Sequence, residues 1–295
     1  MTLRTLSATL ALLIAPWPLS YAYECAPVSL EVGWRCDKLT LTAGGESSSA
    51  SQLSEQAWKD VYSATAAIQI SKYTDYNCYW KGKFLYGQSY RANASIDLQS
   101  SSCGDIHFKR SPSGQIYDGL AAFGVPIWFN GCHDTCITPL VGYSYTRLHL
   151  KSKLHDNIGS DSSTKLLATT TTVLQSPFGG IEWHLPFCES WQFSGSYSYF
   201  WKARVHAKNH YQFDELYHCL ESGDGRGNGV EVALSYRFCD VWEAYLRGQY
   251  VRWEASHGHG YSKLIAHPQV IKNKNNLQKA EWCYWDLNLG VVMLY

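Results

Sequence analysis

The sequence predicts an all-β fold, a closed antiparallel transmembrane β-barrel of about ten strands. Aromatic residues make up 15% of the 295-residue chain and charged residues only 17%, less than the quarter usual for a water-soluble domain, so a large greasy surface has to be covered. No stretch of about 18 consecutive apolar residues exists to form a spanning helix. Segments of alternating polarity recur along the whole chain instead, separated by connections that run long, short, long, short. Brief periplasmic turns and long extracellular loops are the mark of an outer-membrane barrel, and alternation alone, which a soluble β-sandwich shares, is not.

The first 22 residues read as a signal peptide. Arg4 precedes a short apolar run broken by Pro16 and Pro18, and small residues at Ser20 and Ala22 fit a cleavage site. The barrel is expected over 23–295. Its ten strands are predicted at 28–42, 60–73, 77–92, 114–129, 135–150, 167–185, 190–207, 229–239, 241–256 and 281–295. In the first, Val28, Leu30, Val32 and Trp34 oppose Ser29, Glu31, Gly33 and Arg35. In the seventh, Trp191, Phe193, Tyr197, Tyr199 and Trp201 oppose Gln192, Ser194, Ser196 and Ser198. The eighth sets Val230, Val232, Leu234, Tyr236 and Phe238 against polar or small partners. The last, "EWCYWDLNLGVVMLY", carries Cys283, Trp285, Leu287, Leu289, Val291, Met293 and Tyr295 on one face. A final alternating strand that ends on an aromatic is expected to pair with the first and to be read by the assembly machinery.

With the oily faces outward, Glu31, Arg35, Glu182, His184, Arg237, Glu243, Arg247 and Asp286 are expected to form a charge network inside the barrel. Ten strands enclose little more space than side chains fill, so paired charges should plug the lumen. Trp183, Trp191, Trp242, Tyr250 and Tyr295 belong to interfacial aromatic girdles. Ten cysteines are present. Cys25, Cys78, Cys132, Cys136, Cys188 and Cys239 fall at the periplasmic rim, where disulfides are permitted and some are expected to cross-link to neighbouring envelope proteins. Cys103 and Cys219 lie in outer loops, Cys36 and Cys283 in strands. "CHDTC" could close a small loop, but lacks a fourth ligand for a structural zinc.

Acids and bases balance at 25 each, which gives no electrostatic reason for nucleic-acid binding. The expected partners are outer-membrane lipid and lipopolysaccharide, with other cysteine-containing envelope proteins; no cofactor and no metal is expected. "GDGRGNG" (223–229) opens no helix and reads as a loop. The 256–279 segment, with His257, His259, His267 and four lysines, reads as an exposed basic loop, where a transition metal is conceivable.

"PLVGYSYTRLHL" (139–150), "FGGIEWHLPFCESWQFSGSYSYFWKARVHAKNHY" (178–211) and "YRFCDVWEAYLRGQYVRW" (236–253) resemble the omptin-like ten-stranded outer-membrane barrels, and most of all the cysteine-bearing group found in chlamydia-like bacteria. The resemblance implies location in a bacterial outer membrane. Omptins are surface proteases in which two acids after the third strand face an Asp and a His after the seventh and activate a water. His210 matches that His, Lys208 stands where the partner Asp should be, and "ASIDLQS" offers Asp97 and Gln99 for the two acids. Asp105 and His107 are possible substitutes. An incomplete set favours a structural or surface-interaction barrel in a disulfide-linked envelope, with an omptin-like endopeptidase of altered site as the alternative and a narrow porin as the lesser one.

Overall fold

In the computed structural model, residues 26–45, 52–74, 77–99, 106–108, 113–129, 132–154, 166–211, 216–266 and 269–294 are described. Residues 1–22, Cys25, Cys103, Asp105 and Tyr295 lie outside them, as does His267. The described chain is all strand: β1 (Val28–Gly45), β2 (Gln52–Tyr73), β3 (Tyr79–Gln99), β4 (Ile106–Phe108), β5 (Ser113–Gly124), β6 (Ile127–Phe129), β7 (Cys132–Leu154), β8 (Leu166–Cys188), β9 (Trp191–Tyr211), β10 (Leu216–Arg237), β11 (Trp242–Ala266) and β12 (Gln269–Met293). The count is twelve and not ten because two three-residue pieces hang on the ring, β4 on β3 and β6 on β7. The other ten, in the order β1, β2, β3, β5, β7, β8, β9, β10, β11, β12, are each hydrogen-bonded to the next, antiparallel throughout. Pairing of β12 with β1, from Val28↔Met293 to Gly45↔Asn275, closes the ring. No sheet edge along these ten is left to lipid, as an apolar medium requires.

The outward face of the lower half is apolar. Leu30, Val32 and Trp34, then Phe84, Val141, Ile181, Phe193, Val232, Leu246, Leu287 and Leu289 are exposed, each on the face opposite to a buried or half-buried neighbour. Trp191, Trp242 and Tyr250 are exposed among them. Side chains that would be a liability in water form here a lipid-facing band, the periodicity-two signature of a membrane strand.

Most strands are longer than the alternation predicts, and they lengthen at one end. β11 and β12 are 25 residues each and meet in a hairpin, so most of the expected basic loop at 256–279 is ladder. "GDGRGNG" is likewise strand, inside β10. In these outer extensions polarity is inverted: Leu39, Leu41, Trp58, Val61, Leu148, Leu150, Val205, Ala207, Leu220, Trp253, Leu277 and Trp282 point inward and are buried, while Arg204, Arg226 and Arg252 point out. Water, not lipid, wets this part of the wall, so the apolar set moves indoors. Non-glycine residues with positive φ interrupt the ladder at Asp60, Lys202 and His257. At Lys202 the effect is clear: inward positions are even up to Phe200 and odd from Ala203 onward, the change of face that one extra residue produces.

Candidate functional site

Beneath the apolar outer core sits a connected set of buried ions. Arg35 is wholly buried on β1. Its guanidinium binds Asp37 in a fork, Nε to Oδ2 at 2.9 Å and Nη2 to Oδ1 at 2.7 Å, and its Nη1 contacts Asp118 of β5. The plane lies on the Tyr284 ring, 3.6 Å from its centroid, and Trp282 donates to Asp37 at 2.8 Å. A fork on a carboxylate plus a stacked aromatic face is the arrangement that suits arginine and not lysine.

Nearer the periplasm a second group centres on Arg247. It meets Glu31 at 2.6 Å, Glu231 at 3.1 Å and Asp286 at 3.9 Å. Lys81 bridges Glu182 at 3.0 Å and Glu231 at 3.5 Å, and Lys83 approaches Glu31 at 3.7 Å. Four cations (Arg35, Lys81, Lys83, Arg247) face six carboxylates (Asp37, Asp118, Glu31, Glu182, Glu231, Asp286). Neutral donors offset the excess: the Tyr79 hydroxyl donates to Glu182 at 2.7 Å, the Tyr245 hydroxyl to Glu31 at 2.7 Å and the Asn288 amide to Asp286 at 2.8 Å. Buried charges survive only when paired and hydrogen-bonded in this way.

Tyr245 reaches Glu31 because its ring lies across Gly290, its direct partner on β12. A Cβ at 290 would stand 2.6 Å from the tyrosine oxygen. Gly290→Ala should therefore push Tyr245 off Glu31 and cost about 1–3 kcal/mol, read as a lower urea midpoint for the refolded barrel.

Below this network a cavity of about 440 Å³ opens at the end of the barrel that carries the short turns, the periplasmic end. His184, Arg237 and Glu243 line it together with Glu182, Glu231 and Arg247. His184 Nε2 meets Glu182 Oε1 at 3.0 Å and its Nδ1 meets Gln192 at 3.0 Å, so both ring nitrogens are engaged. Of the residues expected in the lumen, Glu31, Arg35, Glu182, Arg247 and Asp286 are buried and His184 and Glu243 half-buried, while Arg237 is exposed at the mouth. The sequence reading did not name Asp37, Lys81, Lys83, Asp118 or Glu231 for this network. Lys81 and Lys83 alternate with the outward Trp80 and Phe84, a signal that was present.

The thiols occupy several levels. Cys36, Cys136, Cys188, Cys219, Cys239 and Cys283 are free thiols among the described residues. Cys188 and Cys239 are exposed on the periplasmic rim, and Cys136 is buried against the Tyr73 hydroxyl at 3.5 Å. Cys132 has a described backbone only.

At the outer end, Lys208 is exposed and Asn209 buried, so the inward position is Asn209, and His210 follows on the other face, half-buried. The backbone of His210 pairs with Thr169 and Tyr217. Asp97 on β3, described by its backbone, pairs with Glu55 on β2, and His107 pairs with Ser95. β3 and β9 stand four places apart around the ring of ten, nearly opposite.

A closed ring of ten long strands with a lipid-facing apolar band, short turns at one end and raised walls at the other defines an omptin-like outer-membrane β-barrel. The solved structure of the outer-membrane protease OmpT from Escherichia coli superimposes with a TM-score of 0.71 at 12% identity, over 94% of this chain and 99% of that one, a likeness of fold. The chain belongs to the Protochlamydia outer membrane protein family, whose model matches residues 29–294, and its place is the bacterial outer membrane. Two autotransporter structures resemble it more loosely. They are the translocator domain of NalP from Neisseria meningitidis (TM-score 0.40, 10% identity, 99% and 94% covered) and the transport unit of AIDA-I from Escherichia coli (0.38, 9%, 99% and 97%). Among curated proteins none matches the chain.

Proposed function

We propose that this protein is a closed, structural barrel of the outer membrane, joined through its periplasmic thiols to neighbouring cysteine-containing envelope proteins. The observation that carries the reading is the pairing of a filled lumen with free, exposed Cys188 and Cys239 on the rim. A lumen packed with Trp58, Phe178, Phe200 and Trp253 above an ion network opposes the passage of solutes, and thiols held out into an oxidising compartment find partners. On non-reducing electrophoresis of isolated outer membranes the chain should run as high-mass species that collapse with reductant, and Cys188→Ser/Cys239→Ser should remove them. A monomer under non-reducing conditions, with no rim thiol available to a maleimide probe, would end this reading.

Single-channel recording separates it from a porin: the refolded protein should give no steady conductance in a planar bilayer. Proteolysis by the omptin route needs an acid to orient His210, and the alternation around Asn209 turns His210 away from the lumen. Cleavage of dibasic peptides by the refolded protein, lost on His210→Ala, would overturn the structural reading.

A further inference from the structure

A row of side chains crosses the outward wall of the barrel well above the lipid-facing band. His206 on β9 is directly opposite Glu221 on β10, and Glu221 is directly opposite His259 on β11. Cys219, two residues from Glu221, shares its face. His206 Nδ1 is 2.6 Å from one Glu221 oxygen, and His259 Nε2 is 4.0 Å from the other. One ligand atom from each of His206, Cys219 and Glu221 lies within 4.8 Å of the other two.

We propose that this cluster binds a divalent transition-metal ion, Zn²⁺ in its preferences, through His206, Cys219 and Glu221, with His259 placed to fill the fourth position. An imidazole, a thiolate and a carboxylate are the donors that zinc takes in tetrahedral sites, and the thiolate argues against Ca²⁺ or Mg²⁺, which take oxygen. Ligand atoms around such an ion sit roughly 3–4 Å apart, so side-chain rotation alone closes this set, the strand ladder holding the three backbones in register. A plain surface ion pair would account for His206 and Glu221. It leaves unexplained why a thiol on the outward face is only 7% exposed and why a second histidine converges on the same carboxylate. The Tyr261 hydroxyl is hydrogen-bonded to the Cys219 thiol and would aim its sulfur. On binding, the thiol proton leaves to solvent and the sulfur takes the metal bond.

The site is testable on the full chain refolded in detergent, with a phosphine reductant, by titrating Zn²⁺ against a chromogenic chelator and recording the absorption of the Co²⁺ form. We expect one ion per chain, and a cobalt spectrum combining a thiolate-to-metal charge-transfer band with the strong visible bands of a tetrahedral centre. Cys219→Ser should abolish the charge-transfer band, and Cys219→Ser and His206→Ala should each weaken binding about ten-fold or more. Cys239→Ser, at the opposite end of the barrel, should leave both readouts unchanged. If Cys219→Ser does not refold, His206→Ala supplies the same comparison. Equal affinity in wild type and the ligand variants, a cobalt spectrum without the thiolate band, or Cys219 recovered as a disulfide from native membranes would each overturn the proposal.

Discussion

Arg35→Met is expected to destabilise the folded barrel by about 3–5 kcal/mol, because it strands two carboxylates without their counter-ion. Asp37 is fully buried and takes its fork from Arg35; Asp118 on β5 meets the same guanidinium. Among the described residues only the indole of Trp282 remains to Asp37 afterwards. The midpoint of urea unfolding in lipid vesicles, followed by tryptophan fluorescence, measures the loss. The triple replacement Arg35→Met/Asp37→Leu/Asp118→Leu should recover most of it, since apolar groups of similar size replace a buried ion cluster at little net cost. A single variant as stable as the parent would mean that water reaches these carboxylates.

Trp253→Ala should cost a comparable amount, about 3–5 kcal/mol, for a different reason. Trp253 is 3% exposed, and its ring centroid lies 4.1 Å from that of Phe200, which in turn packs on Phe178 at 5.6 Å. Truncation leaves a cavity in the apolar core that the surrounding ladder is too rigid to collapse into. Gly227 faces the same indole, and a Cβ there would stand 2.6 Å from the Arg252 carbonyl oxygen and 3.1–3.2 Å from ring atoms, so Gly227→Val should overfill the core and lower stability by about 1–3 kcal/mol. The same unfolding assay orders the two. A loss below 1 kcal/mol for Trp253→Ala would show that the core is loosely packed.

The lower half of the barrel was legible in the sequence. Its alternation is uninterrupted, Trp34, Val32 and Leu30 outward and Arg35 and Glu31 inward, because lipid and lumen differ sharply in polarity. The upper half was misread as loops for two physical reasons. The oily set changes sides midway along β1, from Trp34 outward to Leu39 and Leu41 inward, where the solvent outside changes from lipid to water. Extra residues such as Lys202 then shift the phase without any signal in composition. The same shift decides His210: a motif match gives its identity and distance along the chain, whereas its face depends on a bulge eight residues earlier. The inward parity of Glu31, Arg35, Glu182, Arg247 and Asp286 is readable because they sit among strong alternation. Asp118 was missed because its flanking positions, Gly119 and Tyr117, give the alternation little contrast.

The length of β11 and β12 carries a consequence for whatever meets the bacterium from outside. Strands of 25 residues, at about 3.3 Å per residue and tilted about 40°, climb roughly 60 Å, more than twice the roughly 25 Å of the lipid-facing band. The visitor from the medium therefore encounters a stiff collar whose amides are already bonded to one another. Cleavage by an added protease on intact cells should be confined to the hairpin tips, and antibodies should recognise the folded rampart better than short linear peptides cut from it.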